Sequence, residues 1–202
     1  MTGVAILIPL SMTLFSQQYS NPMTALMGEG MPKEMPLLIT GWVFAIMIIP
    51  MLGSYIMVRS KDMVWIFKKS PRGLSALIYP FLQVYSLMAA IVIIPVTIIV
   101  SLFNGLDIIT SIIFLIGLFM WVFSALTISI GIQCWRPAFK ENSAKMGINI
   151  FISMSFFFGM LPLMFIPLDW LYTYSIIVFP LILILISIVV LRFGMFKLQR
   201  IE

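Results

Sequence analysis

The stretch "IITSIIFLIGLFMWVFSALTISIGIQCW", residues 108–135, contains no charged side chain and no proline. A helix needs about 20 apolar residues to cross the hydrocarbon core of a bilayer, and this run exceeds that. Asp107 stands before it, and Trp135-Arg136-Pro137 stops it. The rest of the chain has the same character. Of its 202 residues 62% are hydrophobic and 9% charged, with a mean hydropathy of +1.14. Soluble domains carry roughly 25% charged residues, so this chain has too little polar surface for water. It reads as an all-α integral membrane protein, a polytopic helical bundle.

Apolar runs predict further spans at 37–58, 80–103, 146–167 and 173–193, beside 108–135. A shorter run near 3–16 is punctuated by Pro9 and reads as a short or truncated first span rather than a re-entrant segment, giving six in all, or five if it does not cross. Met-Thr-Gly lacks the basic start of a signal peptide. No stretch remains for a separate soluble domain, so an ATPase or receptor domain would sit on another chain.

Basic residues set the expected orientation. Loop 59–79 holds Arg59, Lys61, Lys68, Lys69 and Arg72; loop 136–145 holds Arg136, Lys140 and Lys145; the tail holds Arg192, Lys197 and Arg200. The other side holds Lys33 alone. Basic residues concentrate on the cytoplasmic side, so both termini are expected there, in the plasma membrane. Ser70-Pro71 matches an N-cap followed by proline at the first helical position, and Pro80 should break what begins there. Residues 71–79 are therefore expected to form a short interfacial helix before the third span.

What the spans omit narrows the function. The chain has no histidine, which excludes histidine-ligated haem, the usual zinc sites and serine–histidine hydrolases. It has one cysteine, Cys134, which reads as packing. Span interiors lack Asp, Glu, Lys and Arg; Gln83, Gln133 and Asn149 are their strongest polar groups. Proton- or sodium-coupled transporters place acids or broken helices near the midplane. Energy for movement would have to arrive from outside the bilayer. Pro50, Pro95, Pro162 and Pro180 are candidate hinges, against ordinary tolerance of proline in membrane helices. Met23, Met27, Met31 and Met35 recur every fourth residue and raise Met-based copper handling. Gly28, Gly30 and Pro32 disfavour the helix that would align them, and packing is the commoner use of methionine. No ATPase motif or catalytic constellation is present, so the chain is not read as an enzyme, and nucleic acid is not expected as a partner.

Two loops carry a family likeness. "SKDMVWIFKKSPRGLSALIYPF" (60–81) and "GIQCWRPAFKENSAKMGINIF" (131–151) resemble, in order and spacing, the C-terminal part of large archaeal and bacterial ABC-2-type transporter permeases. Those proteins are typically longer, and they have glycine-isoleucine-glycine-alanine where this chain has Gly131-Ile132-Gln133-Cys134. The resemblance implies an exporter permease with a cytoplasmic coupling helix between its second and third spans, a place taken here by Ser70–Tyr79. It implies ATP and magnesium on separate ATP-binding cassette subunits, and a second permease half or a homodimer. Lys68, Lys69 and Arg72 would meet acidic or phospholipid surfaces. Pro71 and Gly73, after Ser70, would set the turn, and Phe139, Lys140 and Glu141 would form a second contact. The bland reading of the cations is anchorage at lipid headgroups. The alternative function is a non-transporting scaffold subunit of a larger membrane complex.

Overall fold

A computed structural model describes residues 49–71, 73–139, 144–164 and 172–200. The doubtful first span, the loop methionines, Lys33, Arg72, Lys140, Glu141 and Asp169 lie outside the described residues, as do parts of the spans expected at 37–58 and 146–167. Every element among the described residues is helical. They are α1 (Ile49–Arg59), α2 (Lys61–Lys68), α3 (Ser75–Asn104), α4 (Ile108–Trp135), α5 (Ala144–Met164) and α6 (Tyr172–Arg200). Within them Ser75–Phe103, Ile108–Trp135 and Ile177–Arg200 are long and apolar enough to cross a membrane, and Ala144–Phe158 is a shorter apolar segment.

α4 is the centre of the bundle, packing on α1, α3, α5 and most extensively on α6. Its two halves differ. Ile108, Ile109 and Ile112 are exposed near its start, whereas every residue from Ser124 to Cys134 is buried. A helix apolar on all faces suits an element that other helices surround. Two of its buried hydroxyls bond back along the helix. Ser124 Oγ donates to the Met120 carbonyl at 2.7 Å and Thr127 Oγ1 to that of Phe123 at 2.8 Å. Such bonding back along the helix lets a hydroxyl sit in an apolar interior without an unpaired donor.

α4 and α6 run in the same direction and approach closely at Gly131 and Gly194. A Cβ on Gly131 would stand 2.9 Å from the backbone of Val190 and Leu191. One on Gly194 would strike the Gly131 carbonyl oxygen and reach Cys134 Cβ at 3.0 Å. Small residues allow backbones this proximity, and dispersion contacts hold it where lipid removes the hydrophobic drive between helices. α5 runs antiparallel to α4, joined by the rings of Trp121 and Phe157 at 6.2 Å.

Both ends of the α3–α4 hairpin are set by local chemistry. α3 closes with Gly105 at φ 62°, Leu106 N–H donating to the Ser101 carbonyl at 3.0 Å. Asp107 then caps α4 through a 3.1 Å bond from the Thr110 N–H.

The expected helix at 71–79 is corrected. Gly73 N–H donates to the Ser70 carbonyl at 2.9 Å, and Gly73 has φ 63°. That left-handed conformation suits a turn and interrupts a right-handed helix, so Ser70-Pro71 opens a turn rather than capping a helix. α3 starts two residues later and continues through Pro80, losing only the bond that the Ala76 carbonyl would accept. The short helix lies earlier, in α2, where Asp62 in the first turn and Lys68 in the last complement the helix dipole. α6 likewise continues unbroken past 193 to Arg200.

Candidate functional site

Two features stand out: the exposed segment from α2 to the start of α3, and a groove between α3, α4 and α6.

In the segment, Ser60 is the one residue between α1 and α2. Its backbone N–H and Oγ both donate to the Ile56 carbonyl, at 2.9 and 2.6 Å. α2 buries Val64 but leaves Met63, Trp65 and Ile66 exposed, the last by 68%. Lys61, Asp62 and Lys69 are exposed around them, and the Lys68 ammonium lies 4.7 Å from the centre of the Trp65 ring. Large apolar side chains ringed by cations suit a membrane surface or a partner protein. Pro71 is exposed in the turn that follows. Gly73 faces α6, where a Cβ would stand 3.2 Å from Gln199 Nε2.

Lys68, Lys69, Ser70, Pro71 and Gly73 thus form one continuous segment. Phe139 is partly buried and packs against the core, so it does not share their exposed face. Of the candidate hinges, Pro95 lies within α3 and is exposed, and Pro180 lies within α6 and is buried. Pro50 and Pro162 fall in α1 and α5. The helices continue through Pro95 and Pro180, leaving the Ile91 and Ile176 carbonyls without their usual donor.

The groove has a volume of about 680 Å³. Tyr79, Leu82, Gln83, Ser86, Leu87 and Ala90 of α3 form one wall; Phe119, Phe123 and Thr127 of α4 form the floor; Ile188, Leu191 and Arg192 of α6 close it. Among the described residues Arg192 is its one charged residue. Neither Asp62 nor Asp107, the two carboxylates among the described residues, lines it.

A polar pair lies where α4 and α5 meet. Gln133 and Asn149 are each 1% exposed, and Asn149 Nδ2 donates to Gln133 Oε1 at 3.0 Å and to the Arg136 carbonyl at 2.7 Å. Gln133 Nε2 and Asn149 Oδ1 find no partner among the described residues. The sequence marked both residues as polar but gave no sign that they meet, 16 positions apart. It also gave no sign of the groove, whose walls come from three separate helices. α2 had a readable signal in its acidic start and basic end, obscured by the more familiar Ser-Pro step.

The chain matches no known protein family, no curated protein and no solved structure.

Proposed function

We propose that this chain is a permease subunit of an ABC-type exporter, moving its substrate on ATP hydrolysis by separate nucleotide-binding subunits. The observation that carries this reading is α2, a short amphipathic helix just ahead of the membrane-length helix α3, with Trp65 and Ile66 exposed among lysines. It has the place and surface chemistry of a handle on which a soluble subunit could push. The Ser70–Gly73 turn ties it to α3 and lies against Gln199 of α6, so a push on α2 reaches two long helices. Loops resembling those of ABC-2 permeases and the uncharged span interiors support the same reading. In full it has six spans in an ABC-2-like bundle in the plasma membrane, both termini cytoplasmic, paired with a second half or a copy of itself.

The test is copurification from the native cell. An ATP-binding subunit should accompany the intact chain and be lost on Ile66→Asp and on Pro71→Ala/Arg72→Glu. ATP-driven transport persisting in both variants would overturn the assignment. Capture by α2 of a partner without an ATP site would favour the scaffold reading.

A further inference from the structure

The groove between α3, α4 and α6 is amphipathic along its length. Tyr79, Gln83 and Arg192 stand at one end, and Leu87, Ala90 and Phe119 line the other. The polar end coincides with the ends of the helices. Arg192 adjoins Phe193, whose ring meets that of Trp135, the last residue of α4, at 6.4 Å. Tryptophan at a helix end favours the headgroup level of a bilayer. From Tyr79 to Ala90 the helical rise is about 16 Å, and one leaflet contributes roughly half of a hydrocarbon core about 30 Å thick. The groove is therefore about one leaflet deep, with its cation at the headgroup and its apolar walls beneath.

The other cations of α6 are engaged with rings: Lys197 lies 5.0 Å from the Trp135 ring centre and Arg200 4.0 Å from that of Phe196. Arg192 instead lines the groove, to which the described residues bring no carboxylate to offset it. A guanidinium pairs well with phosphate oxygens, and the Tyr79 hydroxyl and Gln83 amide add donors.

We propose that this groove is a binding site for an anionic phospholipid from the leaflet on the basic side, its phosphate at Arg192 and one acyl chain along Leu87, Ala90 and Phe119. The site does not depend on the permease assignment.

The purified chain is reconstituted in vesicles of equal parts phosphatidylcholine and phosphatidylglycerol, extracted, and its retained lipid counted by native mass spectrometry. Phosphatidylglycerol should be retained in preference. R192Q should lower that preference about fivefold, the weight of one cation at an anionic membrane surface. R192K should largely keep it, and so should K197Q, whose cation is engaged with Trp135. A90W, which fills the apolar end, should reduce both lipids. Equal retention by the intact chain, an unaltered preference in R192Q, an equal loss in K197Q or full lipid retention in A90W would each overturn the proposal.

Discussion

Asp107 is the residue whose protonation has a structural consequence. Its bonds with Thr110 hold its carboxyl below the ordinary value of 3.8. A carboxylate lowered on folding stabilises fully above its unfolded value, and that contribution is lost as pH falls through the folded one. Protection of the Thr110 amide against exchange should therefore weaken in strong acid. Asp107→Asn, which caps without titrating, should remove this dependence; an identical acid response in the variant would refute the assignment. Buried polar residues follow a different logic. Among the described residues the Gln133–Asn149 pair leaves one donor and one acceptor unmatched, a cost on the order of 1–3 kcal/mol for each such group. Single residues were unevenly legible in the sequence. Cys134 read as packing and is buried. Arg192 read only as one of eleven cations on the basic side, because its place in a groove depends on neighbours from α3 and α4.

Among the elements, the α4–α6 crossing governs stability. Gly194→Ala must push its methyl into the Gly131 carbonyl and against Cys134. Backbone cannot yield as a flexible side chain can, so the expected loss is about 1–3 kcal/mol. Gly147→Ala in α5 is the control, since a Cβ there meets nothing within 4 Å among the described residues. Alanine favours helix over glycine by up to about 1 kcal/mol, so this variant should be neutral or slightly stabilised. Thermal unfolding in detergent compares the two, and an equal shift in both would show that packing at the crossing is not the cause. The boundaries of α4 could be read from Asp107 and the Trp135-Arg136-Pro137 stop. The start of α3 could not. The prolines suggested a short helix over 71–79 and a span beginning at 80, whereas the helix runs on through Pro80 and the decisive residue is Gly73, whose left-handed backbone interrupts the chain before Ser75. Which glycines occupy such conformations depends on the turn around them, a property that residue type alone does not carry.

For the whole molecule, helix directions make a prediction free of any family likeness. α3 and α4 form a hairpin whose tip is Gly105–Asp107, and α6 runs parallel to α4. The α2–α3 turn and the end of α6 must then share one side of the membrane, with Asp107 on the other. In a Cys134→Ala background, a membrane-impermeant maleimide should reach Lys69→Cys and Lys197→Cys from the same side and Asp107→Cys from the opposite one. Labelling of Lys69→Cys and Lys197→Cys from different sides would refute the arrangement. The clustering of basic residues already pointed to this sidedness, because long-range topology follows from the order of apolar runs. How the helices pack does not, since apolar faces look alike until small residues choose a crossing.

That crossing has a mechanical consequence. With the backbones of α4 and α6 interlocked at Gly131 and Gly194, neither helix can slide along or rotate against the other without steric collision. α3 is held differently: it packs on α4 beside the groove and lacks two main-chain bonds, at Pro80 and Pro95. A load applied at the exposed turn is therefore expected to bend α3 before it shifts α4 against α6, even though α6 also lacks one main-chain bond, at Pro180.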